Sequence, residues 1–161
     1  MSVDVIIEDA RWNDAGLADL AERAVAATLA RVGLSAEHWE VTVLGCDDVR
    51  IAALNTEFRG KPTPTNVLSW PSQERGSSVP GQEPDLPTGM GELGDIALAF
   101  ETCEREAAHQ GKPVEQHFLH LIVHGVLHLL GYDHVREGDG DLMESHEIAI
   151  LAHLGVPDPY K

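Results

Sequence analysis

The spacing of hydrophobic positions along the chain predicts four short strands and five helices. Strands are predicted where apolar and β-branched residues alternate with polar ones or form short runs between turn residues. Helices are predicted where apolar residues recur every three or four positions. The strands are expected near 3–8, 39–44, 66–70 and 94–100; the helices are expected from Asn13 or Asp14 to Gly33, from Asp47 or Asp48 to about Phe58, and near 101–110, 114–130 and 141–154.

This order of elements predicts one small sheet with helices packed on it. The chain has 161 residues, which fits a single domain over residues 1–161 and is long enough for a real core. Residues 71–91 are crowded with proline, glycine, serine and acids and show no periodicity. We therefore expect an irregular loop there, within the domain, rather than a linker between two domains.

The charge of the chain narrows the classes of function. There are 11 Lys and Arg against 27 Asp and Glu, a formal net charge of −16 at pH 7. This excludes a surface that is basic throughout and binds nucleic acid everywhere, although a small basic site on an acidic body stays possible. The local exception is the stretch from Arg50 to Lys61, where three cations face one acid, Glu57.

The location expected for the protein is the cytoplasm. No apolar run approaches the ~20 residues of a membrane helix, and the first residues carry no basic stretch followed by an apolar one. The two cysteines, Cys46 and Cys103, are too few for a disulfide framework and are expected to be reduced thiols. We therefore expect no membrane partner.

Three histidines near the end of the fourth predicted helix stand at metal-ligand spacing. His124 and His128 are four residues apart, so their side chains project from one face of the helix. Gly131 can end the helix and let the chain fold back, which allows His134 to supply a third nitrogen. Three imidazoles suit zinc and leave one coordination position open, the arrangement of catalytic rather than structural sites. The spacing matches the metzincin peptidase motif H-E-x-x-H-x-x-G-x-x-H at every ligand and at the glycine.

One departure from that motif changes the expected chemistry. Gly125 stands where the peptidases have the glutamate that acts as general base, so peptide hydrolysis becomes the less favoured interpretation. His117 and His120 lie on the same side of the helix, and they can be hydrogen-bond partners of the ligands, substrate contacts, or partly buried residues with satisfied nitrogens. Asp133 and His120 are both candidates for the base, and neither is preferred.

A longer stretch of sequence resembles a known family. The run His120-Leu-Ile-Val-His124-Gly-Val-Leu-His128-Leu-Leu-Gly-Tyr-Asp-His134 resembles the hallmark of the YbeY family, bacterial metal-dependent endoribonucleases of ribosomal RNA maturation. The segment from Leu54 to Pro71, with Phe58-Arg59-Gly60-Lys61 and Asn66-Val67-Leu68-Ser69-Trp70, is similar to the central segment of that family. The family usually has Asp at the place of Asn66 and Phe at the place of Trp70; Asn66 keeps a hydrogen-bonding side chain but lacks the charge of that Asp.

The resemblance implies an α+β fold, a small mixed sheet of about four strands with about five helices and a three-histidine site at one end of the long helix. It implies one Zn²⁺ ion held by His124, His128 and His134, and a functional role for Arg59 in a cleft beside the metal. It also implies cleavage of single-stranded RNA, in maturation of the 16S rRNA 3′ end and in ribosome quality control. The partners expected are rRNA and the ribosome or small-subunit proteins, with no DNA.

Two interpretations compete with the nuclease hypothesis. One is a ribosome-biogenesis binding factor that contains a metal but has no intrinsic cleavage; the other is a zinc hydrolase of small molecules or peptides. For Arg59 the structural alternative is an ion pair with a carboxylate, for which the nearby candidates are Glu57, Glu92 and Asp95. If Arg59 does share a cleft with the metal, RNA affinity should be weak and strongly lowered by salt, with targeting delegated to the ribosome or a partner.

Overall fold

A computed structural model describes residues 3–77 and 79–161. Its strands and helices are, in chain order, β1 (Val3–Ile7), α1 (Arg11–Asp14), α2 (Leu17–Val32), β2 (Trp39–Cys46), α3 (Asp48–Arg59), β3 (Val67–Pro71), β4 (Gly91–Ala99), α4 (Phe100–Gln110), α5 (Val114–Leu129) and α6 (Glu137–His153).

The four strands form one mixed sheet in the order β1-β2-β4-β3. β1 pairs parallel with β2, and β2 pairs parallel with β4, while β3 lies antiparallel to β4 at one edge. The predicted α+β class and the mixed four-stranded sheet are therefore confirmed. Among the described residues there are six helices rather than about five, because α1 was not predicted.

The extra helix α1 exists because of a contact that is distant in sequence. Trp12 is fully buried, packs against the rings of Phe100 and Phe118, and donates its indole N–H to the carbonyl of Cys46 at 2.9 Å. Asp9 accepts the backbone N–H of Arg11 at 3.0 Å and begins the turn. One turn of helix has no periodicity to detect, so only the tertiary packing of Trp12 reveals it.

The predicted helix ends are partly confirmed. Asp47 accepts the backbone N–H of Arg50 at 2.8 Å as the N-cap of α3, and Gly33 ends α2 in the left-handed region with φ 86°. The predicted cap of α2 at Asn13 or Asp14 is wrong, because Gly16 takes that position without a side-chain cap. The start of α6 is also earlier than predicted, at Glu137 rather than about Asp141.

The long helix α5 is the central element of the main core. It contacts α2, α4, α6 and the strands β3 and β4. Its apolar face is buried in the main hydrophobic cluster, to which it contributes Phe118, Leu119, Ile122, Val123, Val126 and Leu127. A smaller cluster lies on the opposite face of the sheet, under α3. Within the described residues, no helix is both long enough and apolar enough to cross a membrane.

The segment between β3 and β4 contains neither helix nor strand in the residues described on either side of position 78. It is nevertheless tied to the rest of the molecule. The Arg75 guanidinium donates to the carbonyls of Leu93 at 3.1 Å and Leu129 at 2.7 Å, and Gly81 N–H donates to Asp139 at 2.8 Å. The segment therefore forms a wall that lies against the ends of α5 and α6.

Candidate metal centre

The end of α5 brings three histidines together. α5 ends at Leu129, and Gly131 then adopts φ 102°, in the left-handed region that favours glycine. A Cβ at this position would lie 2.5 Å from the carbonyl oxygen of Arg75, so a larger residue would also collide with the segment between β3 and β4. The turn folds the chain back, and nitrogens of His124, His128 and His134 all lie within 4.8 Å of one another. The predicted cluster is thus formed.

The orientation of two imidazoles suits a metal ion. The Nε2 atoms of His124 and His128 are 3.0 Å apart, close to the separation of about 3.3 Å expected for two nitrogens on one tetrahedral zinc. His124 Nδ1 lies 2.6 Å from a Glu147 oxygen, and His128 is hydrogen-bonded to the backbone of Tyr132. These acceptors hold the ring protons on the far side of each ring, so both Nε2 lone pairs are available.

The protonation state of His128 favours the same conclusion. Burial, together with the charges of His124 and His134, lowers the pKa of His128 to about 4. A neutral imidazole is the form that binds a metal. The three histidines can therefore hold a metal ion.

The cluster opens into a cleft of about 760 Å³. His128 and His134 lie in its wall together with Arg59, the last residue of α3, and Asp133. Within residues 3–77 and 79–161 no carboxylate forms an ion pair with Arg59, so the alternative pairing with Glu57, Glu92 or Asp95 is not formed. Arg59 is exposed and presents a cation beside the three histidines. Arg59 therefore lines the cleft, as expected, and its functional role stays a prediction.

Comparison with known proteins identifies the family. The family described as "Endoribonuclease YbeY" matches residues 4–155. The chain belongs to the YbeY family. A protein of Cereibacter sphaeroides named Endoribonuclease YbeY is 61% identical over 98% of both chains, and one of Ruegeria sp. with the same name is 57% identical over 99% of this chain and 96% of its own. A solution structure from Thermotoga maritima, 21% identical, covers 99% of both chains with a TM-score of 0.57, which supports the fold.

Sequence reasoning missed one member of this YbeY-family site, Glu147 on α6. Its side chain is 1% exposed and contacts both His124 and His120, at 2.6 and 2.8 Å. Burial opposes its ionisation, but hydrogen bonds from His120, His124 and Tyr160 outweigh burial and lower the pKa of Glu147 to about 2. The signal in the sequence was an acid on the apolar stripe of α6, between Met143 and Ile150.

Each of the two further histidines of α5 has its Nε2 beside a carboxylate, whereas its buried Nδ1 has no hydrogen-bond partner among the described residues. His120 donates to Glu147, while His117, which is 4% exposed, has its Nε2 3.0 Å from Glu106. Burial lowers the pKa of His117 despite the opposing effect of Glu106, so His117 is a neutral donor to that carboxylate. This favours the interpretation of His117 as a buried residue that is hydrogen-bonded. His120 is connected to the metal cluster in another way, because His120 and His124 share the carboxylate of Glu147.

The unusual Asn66 belongs to the same network. Its amide donates to both oxygens of Glu106 at 3.0 and 3.2 Å, and its carbonyl oxygen accepts the N–H of Val67 at 2.7 Å. An aspartate, the usual YbeY residue here, would place a second carboxylate against Glu106. The amide therefore matches its neighbour in this chain, and the position carries a structural hydrogen bond.

Asn66→Asp is expected to destabilise the protein by about 2 kcal/mol at pH 8, because it replaces a donor to a carboxylate by a like charge. The repulsion raises the pKa of one carboxyl of the pair above its unfolded value, so stability is lost as pH rises through that pKa and is largely present below it. Chemical unfolding at pH 8 and pH 5 measures the effect, with Asn13→Asp on the exposed surface as the control. Equal losses at both pH values would contradict this explanation.

Gly125 has a packing role. It is buried where α5 approaches β4, and a Cβ there would lie 3.0 to 3.3 Å from three side-chain carbons of Ile96. A side chain at this position, such as the glutamate of the peptidases, would require the side chain of Ile96 to give by a few tenths of an ångström. Glycine therefore allows close packing of helix and strand here, and the absence of the peptidases' general base favours a chemistry other than the usual peptidase route.

Proposed function

We propose that this protein is an endoribonuclease that depends on one Zn²⁺ ion held by His124, His128 and His134. The observation that carries the proposal is the cleft whose wall contains two of these histidines, His128 and His134, together with Arg59, a cation with no carboxylate paired to it within the described residues. Membership of the YbeY family and the printed names of its relatives support the same activity.

The chemistry of the cleft suits a phosphodiester. His124, His128 and His134 would hold the zinc ion, which would supply a Lewis acid to polarise a phosphoryl oxygen or to lower the pKa of a bound water. Arg59 supplies a planar set of donors that grips two oxygens of a phosphate and stabilises the charge that develops there during cleavage. The three histidine nitrogens would hold the metal, and the guanidinium of Arg59 supplies a further positive charge beside negatively charged phosphate oxygens. His134 and Arg59 lie on different segments of the chain, and the fold brings them to one cleft.

The proposal extends to the substrate and the setting. By resemblance to the YbeY family, we propose selectivity for single-stranded RNA, action in 16S rRNA 3′-end maturation and late ribosome quality control, and a cytoplasmic location. The net charge of −16 supports delegated targeting, because an acidic body repels free RNA outside the Arg50–Lys61 region. We propose that residues 1–161 act as one domain in this role, with the ribosome or small-subunit proteins as partners.

The test compares one labelled RNA oligonucleotide as a single strand and annealed to its complement. The protein is assayed as purified, after removal of metal by a chelator, and after addition of Zn²⁺, Mn²⁺ or Mg²⁺ at equal concentration. His153→Ala, which removes an exposed histidine outside the cleft, serves as the matched control. We expect cleavage of the single strand only, its loss after chelation, and its recovery with Zn²⁺.

Each part of the proposal has a contradicting outcome. Cleavage that persists in protein shown to be metal-free would exclude metal dependence. If the protein binds RNA but cleaves it with none of the three metal ions, the binding-factor alternative is favoured. Equal cleavage of free 16S precursor fragments and of the same RNA within the small subunit would contradict delegated targeting.

A further inference from the structure

Glu147 is placed to control the metal centre without facing the cleft. It lies on α6, behind the face of α5 that carries His124 and His120, and it is almost completely buried. A carboxylate in an apolar core is costly unless all of its acceptor sites are used. The structure supplies three donors for it: His124 Nδ1, His120 Nε2 and the Tyr160 hydroxyl.

The division of these contacts between the two oxygens determines what each can do. Oε1 accepts from His124, while Oε2 accepts from His120 and from Tyr160. Because an ionised carboxylate can only accept, the ring proton of His124 must be on Nδ1. His124 Nε2 then carries a lone pair and lies 3.0 Å from His128 Nε2, inside the three-histidine cluster.

We propose that Glu147 is the positioning residue of the metal centre: it fixes His124 in the tautomer that binds metal, and His120 and Tyr160 hold Glu147 in place from its other oxygen. This inference rests on the three-histidine metal site of the proposed function, but not on RNA cleavage. Carboxylates that hold a metal-bound imidazole in this way raise its basicity and fix its orientation.

The arrangement connects the chain after α6 to the metal centre. Tyr160 packs edge-on against the ring of His120, with ring centroids 5.6 Å apart, while about half of Tyr160 is exposed. Its hydroxyl donates to Glu147, so a residue that is partly exposed contacts a buried carboxylate. Loss of this one hydroxyl should weaken metal binding although Tyr160 is not a ligand.

Glu147 also belongs to a second group that meets ligand spacing, since His120, His124 and Glu147 offer atoms within 4.8 Å of one another. A metal there would need the same His124 Nδ1 that donates to Glu147, and would compete with the hydrogen bonds from His120 and Tyr160. The observed contacts use both carboxylate oxygens as acceptors, which favours the positioning role over that of a ligand. Metal stoichiometry distinguishes the two.

The experiment measures zinc affinity by competition with a chromophoric chelator in the full chain and in three variants. Glu147→Gln keeps the size of the side chain but can accept at one atom only, and its NH₂ group opposes donors at the other. Tyr160→Phe removes one donor to Glu147 and keeps the ring of a residue that is about half exposed. Glu144→Gln, one turn earlier on α6 and without a hydrogen bond to these histidines, is the charge-matched control.

We expect one zinc ion per chain in the wild type and an affinity about 10- to 100-fold lower in Glu147→Gln. Tyr160→Phe should lose less, up to about tenfold, and Glu144→Gln should match the wild type. The thermal unfolding of the metal-free proteins is measured in parallel. A purely structural role would lower the unfolding temperature of metal-free Glu147→Gln and leave zinc affinity at the wild-type value, which would overturn the proposal.

Other failures are distinguishable. If the wild type binds no zinc, the metal site of the proposed function fails together with this inference. If the wild type binds two ions per chain and Glu147→Gln binds one, Glu147 is a ligand and the positioning role is wrong. If Glu147→Gln does not fold, unchanged zinc affinity in Tyr160→Phe still overturns the coupling of Tyr160 to the metal centre through Glu147.

Discussion

His128→Ala is expected to abolish stable zinc binding and to lower the rate of RNA cleavage by about 10³-fold. Two nitrogens remain in this variant, and a catalytic zinc site requires three protein ligands. A catalytic metal ion typically contributes several kcal/mol to stabilisation of a transition state, and each 1.36 kcal/mol corresponds to a tenfold change in rate. Metal analysis of the purified protein and single-turnover cleavage of a labelled single strand measure the two effects.

The matched control for this variant is His153→Ala, which changes a histidine on the exposed end of α6. It should retain one ion per chain and the wild-type rate. Parallel purification of both variants also tests for contaminating nucleases, because a contaminant would cleave equally in each preparation. A normal metal content in His128→Ala would contradict the three-histidine site, and a normal rate would contradict the nuclease proposal.

Arg59→Ala is expected to lower the cleavage rate by about 10²- to 10³-fold while zinc affinity stays within about twofold of the wild type. This is the size of effect measured when one donor to a developing negative charge is removed from an active site. Arg59→Lys should recover only part of the rate, since an ammonium cannot present two parallel donors to a phosphate. Single-turnover kinetics and the chelator competition assay measure rate and affinity separately.

Arg50→Ala provides the comparison for Arg59→Ala. Arg50 is on the same helix, is exposed, and forms an ion pair with Glu8 at 3.2 Å, outside the cleft. Both variants reduce the positive charge of α3 by one, so a purely long-range electrostatic effect would slow both equally. A loss confined to Arg59→Ala would show that its position beside the histidines matters.

Several features were predictable because they depend on spacing along the chain. The positions of His124, His128, Gly131 and His134 predict a cluster, since helix geometry fixes the first pair and a glycine turn returns the third. The cap at Asp47 and the helix end at Gly33 are likewise local, and both are confirmed. The mixed sheet was implied by the resemblance to the family rather than by the pattern of strands.

Other features depend on contacts between distant segments, and the sequence pattern did not predict them. Glu147 lies 23 residues after His124 in the chain, yet it is hydrogen-bonded to that ring. Arg59 had three plausible acidic partners nearby in sequence or space, and only the fold shows that it forms no ion pair with them within the described residues. The helix α1 depends on Trp12 reaching the core beside Phe100 and Phe118.

The sequence by itself predicted the four strands and five of the six helices of the described residues, and it determined the acidic balance of the chain and the histidine spacing, because each of these depends on residues that are close along the chain or on simple totals. The tertiary structure decided which carboxylate faces Nδ1 of His124, that Arg59 lines the same cleft as His128 and His134, and that Gly125 packs closely against Ile96. These depend on the distances from His124 to Glu147, from Arg59 to the histidines, and from Gly125 to Ile96. Such distances arise only when α5, α6, α3 and β4 pack together.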